Sequence, residues 1–213
     1  MGRVKAVLFD LDGVLVDAAD WHYEAFNRAL GRFGYTITRP EHLQTYDGLP
    51  TRNKLEILSR DKGLPPALHA TIHQLKQEFT RDQIIASCRP VPEKRLLLRR
   101  LKEEGRRLGV CSNAIRESVH LMLGQSGLME YLDCVLSQEE VELPKPAPDI
   151  YREAMTRLQS PPGETVIVED GRHGVESGRR AGGHVLQVET WSEVDYGFVR
   201  RFIDEVERAP VNP

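Results

Sequence analysis

Five short apolar runs punctuate the chain: Val4–Phe9, Arg107–Cys111, Asp133–Leu136, Thr165–Val168 and His184–Val188. Each has the length of a strand buried on both faces. Between most of them the apolar residues recur at helical spacing, as in Leu96, Leu97 and Leu101, then Ile115, Val119 and Met122, then Ile150, Ala154 and Leu158. Strand alternating with helix predicts an α/β fold, a parallel sheet layered between helices. Right-handed crossovers then bring the C-terminal end of every strand to one edge, where such sheets bind ligands.

One stretch breaks the alternation. From 18 to 87 the pattern holds helices and no convincing strand. Trp21, Ala25, Phe26, Leu30 and Phe33 form one amphipathic stripe with Asp20 as its expected N-cap. Leu55 and Leu58 mark a second helix, and Leu68, Ile72, Leu75 and Phe79 a third. The chain is therefore expected to divide into a core of residues 1–17 and 88–213 and a helical insertion of residues 18–87. Pro90 and Pro92 mark the return to the core, and Pro161-Pro162-Gly163 reads as a loop. A closing helix is expected over Tyr196–Val206, burying Phe198, Phe202 and Val206.

Composition narrows the partners. Lys plus Arg number 29 against 32 Asp plus Glu, a net charge of −3, which is not the basic footprint of a nucleic-acid binder. The basic residues from Arg99-Arg100 to Arg106-Arg107 are interrupted by Glu103 and Glu104 and read as a solvated helix face. No apolar run approaches the roughly 18 residues of a membrane span. Met1-Gly2-Arg3-Val4-Lys5 leads straight into the first strand without the apolar stretch of a signal peptide. Cys88, Cys111 and Cys134 are odd in number and contain no CxxC pair, which argues against a disulfide framework or structural zinc. A cytoplasmic protein is expected.

The chemistry concentrates where the strands end. Phe9-Asp10-Leu11-Asp12-Gly13 follows the first strand, and at strand periodicity Asp10 and Asp12 project to one side. Two carboxylates so close require a cation or a shared proton. They suit a nucleophile beside an acid/base, with a divalent metal between them and the substrate. An acidic surface turn is the plain alternative. Ser112-Asn113 closes the second strand, where a hydroxyl and the N–H groups of a following helix would hold phosphate oxygens; taken alone, Ser112 reads first as an ordinary helix cap. Lys145 stands between Pro144 and Pro146 as a stiffly held counter-charge, and Glu169-Asp170-Gly171 ends the fourth strand with a second carboxylate pair of the oxygen type that Mg²⁺ prefers. No GxxxxGK[ST] loop is present.

Taken in order, DLDGVLVD, Ser-Asn, Lys-Pro and Glu-Asp resemble the haloacid dehalogenase superfamily of phosphohydrolases. The likeness is to the subgroup with a helical cap inserted after the first strand, which includes β-phosphoglucomutases and sugar phosphatases. It spans nearly the whole chain. The resemblance implies a Rossmann-like three-layer core with an all-helical cap, and a Mg²⁺-dependent phosphatase acting on a small phosphorylated metabolite such as a sugar phosphate. It also implies roles. Asp10 would be the nucleophile that becomes an aspartyl-phosphate. Asp12 would be the acid/base, with a proton affinity raised by its neighbours and a backbone carbonyl on the metal. Ser112, Asn113 and Lys145 would hold phosphate, while Asp170 would bind Mg²⁺ with Glu169 as accessory ligand. His22, just inside the insertion, is expected to face the site. Arg52, in Gly48-Leu49-Pro50-Thr51-Arg52, is expected to read a second anionic or hydroxyl-rich group; a helix start capped by Thr51 is the plainer reading. Two positions depart from the usual pattern, Ala18 for Ser or Thr and Gly171 for Ser or Ala. A phosphoglucomutase-like transferase and a catalytically idle binding module are the competing expectations.

Overall fold

Ala6–Phe9 (β1) is a run of four apolar residues, all fully buried, and it occupies the centre of the sheet. The other strands are Arg107–Cys111 (β2), Cys134–Leu136 (β3), Thr165–Glu169 (β4) and His184–Gln187 (β5). All pair in parallel, in the order β3-β2-β1-β4-β5. The computed structural model describes residues 3–209; Met1 and Gly2, on which the reading of the N-terminus partly rests, lie outside them. Each strand falls within a residue or two of its expected run.

The helices are α1 (Ala19–Gly31), α2 (Arg39–Glu41, widening into a π turn at His42–Tyr46), α3 (Thr51–Lys62), α4 (His69–Ser87), α5 (Pro92–Glu103), α6 (Arg116–Ser126), α7 (Asp149–Arg157), α8 (Arg172–Ala181) and α9 (Tyr196–Arg208). Alternate residues of β1 serve opposite faces, as the period of a strand requires. Val7 and Phe9 join a cluster with Leu97 and Leu101 of α5, Val119 and Met122 of α6, and Val199 and Ile203 of α9. Ala6 and Leu8 join another with Ile150, Tyr151 and Ala154 of α7. Helices thus cover both faces of the sheet. Each fully buried Leu, Ile or Val contributes about 1.5–3 kcal/mol, so these two clusters hold the layers together.

Among the described residues, no strand lies between Ala18 and Ser87. The helices there enclose a cluster of their own, with Phe26, Leu30, Ile37, Leu55, Leu58 and Ile72 at its centre. Among the described residues, no helix is long and apolar enough to cross a membrane.

Several local expectations need correction. Ala18, not Asp20, is the N-cap of α1; Asp20 sits in the first turn and pairs with Arg39 instead. Phe33 lies beyond the end of α1 and still packs on the cluster of the insertion. Pro50 caps α3, so Thr51 is its first residue and its side chain is buried. In α9 the fully inward residues are Val199, Ile203 and Val206, with Phe198 and Phe202 only partly covered. Arg106 does not belong to a solvated face. Only 3% exposed, it donates to the Val4 carbonyl at 2.6 Å and pairs with Glu104 and Glu207 at 2.9 and 3.1 Å.

Candidate active site

The C-terminal ends of β1, β2 and β4 open into a cavity of about 390 Å³ roofed by the helical insertion. It lies at the point where the chain's path through the sheet changes direction, the position favoured for ligands in such sheets. Asp10 follows β1 directly and its N–H donates to Val168 of β4 at 3.0 Å. Gly13 then turns with φ +85°, and a Cβ there would stand 2.1 Å from Asp170 Oδ2. The glycine therefore serves both the left-handed turn and the close approach of Asp170 to it.

Lys145 is the electrostatic centre. Its ammonium donates to Asp10 Oδ1 at 2.6 Å, Glu169 Oε1 at 2.6 Å and the Cys111 carbonyl at 2.7 Å. Tyr151 also donates to Glu169 Oε1. Asn113 fixes the lysine's backbone: its Oδ1 accepts from the Lys145 N–H at 3.0 Å and its Nδ2 donates to the Lys145 carbonyl at 3.2 Å. The same Nδ2 reaches the Gly48 carbonyl of the insertion at 2.9 Å. Burial opposes the Lys145 ammonium, yet Asp10 and Glu169 hold its proton more firmly than in an ordinary lysine. Burial pushes Asp10 well above the usual carboxylate range despite Lys145, with Glu169, Asp170 and Asp12 adding to the rise. Asp170 is pushed up to about 7, by burial first and then by Glu169.

Asp12 faces a different set of groups. His22 Nε2 lies 3.1 Å from its Oδ1, and Lys76 Nζ lies 3.2 Å from His22 Nδ1. A protonated lysine can only donate, so Nδ1 accepts from it and Nε2–H donates to Asp12. Burial and then Lys76 hold the His22 ring below the ordinary histidine value, against the pull of Asp12. For Asp12 itself, burial acts upward, but His22, Lys76 and Lys145 together bring the carboxyl below its usual value. The expected raised proton affinity of Asp12 is thus reversed in the substrate-free protein, because two cationic or donating groups of the insertion face it.

The cavity brings together Asp10, Asp12, His22, Asn113, Lys145, Glu169 and Asp170. Ser112 stands behind Asp12, donating to its Oδ2 at 3.4 Å and accepting from the Ala114 N–H at 3.0 Å. It does not cap α6, which starts at Arg116 with Ile115 as N-cap; the first helical N–H is taken by Glu139 at 2.6 Å, so it is not offered to a phosphate. Arg52 does not join the site. Its side chain is 85% exposed and pairs with Glu56 one turn along α3, because α3 turns that face to solvent. Lys54, two residues on, points inward instead.

Lys54, Lys76, Asp47 and His173 line the cavity without having been singled out in the sequence. A signal existed for the lysines. Lys54 stands four residues before Leu58, and Lys76 four after Ile72 and three before Phe79. Both are charges set into apolar helical stripes.

Asp10, Glu169 and Asp170 bring one ligand oxygen each within 4.8 Å of one another. Asp12 adds no carboxylate oxygen to that group, since its side chain is turned to His22 and Ser112. All-oxygen donors of this kind fit a hard divalent cation such as Mg²⁺.

Residues 7–188 match the family of haloacid dehalogenase-like hydrolases, and the chain belongs to that family. Several similar proteins are phosphatases by name. Pyrophosphatase PpaX of Bacillus velezensis is 28% identical over 182 residues, covering 84% of this chain and 81% of that protein. The phosphorylated carbohydrates phosphatase of Thermotoga maritima is also 28% identical over 182 residues, covering 84% and 82%. Among solved structures, β-phosphoglucomutase of Clostridium difficile superposes with a TM-score of 0.84 at 18% identity over 97% of this chain and 100% of its own, a likeness of fold. CbbY of Rhodobacter sphaeroides, solved with phosphate, gives 0.76 at 26% identity over 85% and 84%.

Proposed function

We propose that this phosphatase is Mg²⁺-dependent, hydrolyses a small phosphorylated metabolite of the sugar-phosphate class through an aspartyl-phosphate on Asp10, and works in the cytoplasm. The observation that carries the reading is Asp10 itself, a buried carboxylate fixed by Lys145 in a cavity that also holds Asp170 and the Asp12–His22 pair. A carboxylate oxygen of Asp10 attacks phosphorus while the bond to the ester oxygen breaks. Asp12 supplies the proton that the leaving alcohol takes away. Water then attacks the phosphoryl group, Asp12 takes a proton from it, and Asp10 and inorganic phosphate are released.

The low proton affinity of substrate-free Asp12 suits the second half of this cycle. An arriving phosphate beside Asp12 adds negative charge, which shifts its proton affinity upward for the first half. Lys145 holds Asp10 in position and offsets charge on the phosphoryl oxygens. Asp10, Asp170 and Glu169 would hold Mg²⁺, with the Asp12 carbonyl as a further ligand; the ion, when bound, supplies charge neutralisation for an anion attacking an anion. Residues 18–87 act as a cap that excludes bulk water when closed. The three cysteines are buried and free, as in a reducing compartment. The mutase reading shares the same motifs and fold, and the names of similar proteins favour hydrolysis.

The test is inorganic phosphate release from a panel of phosphate esters with Mg²⁺ and with chelator. Asp10→Asn is expected to lower kcat by roughly 10³-fold or more. Wild-type turnover by Asp10→Asn would remove the nucleophile, and isomer interconversion without net phosphate release would remove the hydrolase.

A further inference from the structure

Three buried lysines surround the cavity, and two have partners in the protein. Lys145 has three acceptors, and Lys76 is engaged by His22. Lys54 is 6% exposed, yet among the described residues its ammonium has neither a hydrogen-bond acceptor nor a carboxylate within ion-pair distance. The ring of Phe26 has its centre 5.8 Å from the ammonium. Asp47 is the leading negative charge acting on it, but that carboxylate lies beyond ion-pair distance, pairs with His42 Nε2 at 3.3 Å and is 44% exposed. The stem is buried and the ammonium opens only onto the cavity, so its unused donors are left for whatever occupies that space.

We propose, resting on the phosphatase reading above, that Lys54 is a second anion-binding group of this cavity, selecting phosphomonoesters that carry another anionic group away from the scissile phosphate. Lys145 reaches the cavity from the core and Lys54 from α3 in the roof, so a substrate spanning them needs negative charge at both ends. A cavity of about 390 Å³ holds a substrate of that size. The anionic group is a carboxylate or a second phosphoryl group; the lysine recognises the charge common to both. Burial lowers the Lys54 proton affinity to about 8, with Asp47 and Asp12 acting against that, so at neutral pH it is predominantly charged and available to such a group.

The experiment compares kcat/KM within two matched pairs, a three-carbon polyol phosphate against the corresponding phosphoglycerate, and a hexose monophosphate against the corresponding bisphosphate. Wild type is expected to favour the acidic member of at least one pair by tenfold or more, which also tells carboxylate from phosphoryl. Lys54→Met should collapse that ratio, Lys54→Arg should restore most of it, and Arg52→Ala should leave it in place. Equilibrium binding of the same pairs to Asp10→Asn, with and without Lys54→Met, reads the subsite when turnover is absent. A wild type with no preference for the acidic member, or a preference that survives Lys54→Met, overturns the subsite. Absence of phosphate release from every ester, with the binding preference intact, overturns the phosphatase reading and leaves the subsite standing.

Discussion

Gly174, in the first turn of α8, is the most informative position to perturb. A Cβ there would stand 2.0 Å from the Glu169 carboxyl carbon and 2.0 and 2.1 Å from its oxygens. Helix propensity alone favours alanine over glycine by about 1 kcal/mol. Sterics act the other way and are larger. A side-chain end could ordinarily swing aside, but the Glu169 carboxylate is 2% exposed and pinned by Lys145 at 2.6 Å and by Tyr151. To reach van der Waals contact it must retreat by more than an ångström, beyond hydrogen-bond distance of Lys145. Overpacking costs about 1–3 kcal/mol, and disrupting a buried charged pair about 3–5 kcal/mol. Gly174→Ala is therefore expected to lose at least about 2 kcal/mol net of the helix gain. For a chain of this size that lowers Tm by about 4–8 °C. Because Lys145 also fixes Asp10, misplacing it by about 1 Å should cost roughly 100-fold in kcat. Thermal melts by circular dichroism and phosphate-release assays read the two effects. Gly124→Ala in α6 is the control, since nothing lies within 4 Å of its Cβ position and propensity alone should raise stability there. A Gly174→Ala protein that melts with or above wild type and keeps kcat within threefold would refute the argument.

Two further outcomes follow from buried charge. Burial, with their mutual repulsion adding to it for Lys76, lowers Lys54 to about 8 and Lys76 to about 7, so between about 7 and 10 the unfolded chain binds more protons than the folded one. Ligand-free stability should accordingly rise with pH across that window through these groups; urea midpoints of Lys54→Met/Lys76→Met should rise less steeply, and an equal slope would contradict the burial of both. Arg106→Met should cost about 2–4 kcal/mol in urea unfolding, because the Val4 carbonyl loses its partner and Glu104 and Glu207 each lose a buried ion-pair partner, keeping only Tyr196 and Arg200 and the Val4 N–H; a loss under 1 kcal/mol would show the arginine to be dispensable.

The sheet was legible because a strand buried on both faces has no polar register to disguise it: AVLF and TVIVE are apolar up to the acids that follow or end them. The same boundary pointed to Asp10 and to Glu169-Asp170, since a carboxylate at the end of a buried run has to face the open edge. The walls of the cavity were less legible. Arg52 and Lys54 are two residues apart on one helix, about 200° around it, and only the packing of α3 decides which enters the cavity. Ser112 seemed to begin a helix, yet the chain continues through Asn113 to Ile115 first, so that Asn113 can grip Lys145 and Gly48. The proton affinity of Asp12 depends on Lys76, which is distant in sequence and meets it only through His22. No local pattern contains such a distance.

The central position of β1 also governs how the chain is assembled. Ala6 pairs with Arg107 on one side and with Thr165 on the other, so the strand emerges from the ribosome long before either neighbour exists. The helical insertion follows it immediately, and its separate apolar cluster draws only on residues of that insertion. Native-like order is thus available to the insertion while AVLF still waits with two unpaired edges. Closing the sheet requires contacts of large sequence separation, which are slow to form. During synthesis the segment that later positions the nucleophile thus stays apolar and unpaired until β2 and β4 have been made, which is when it is open to wrong pairing.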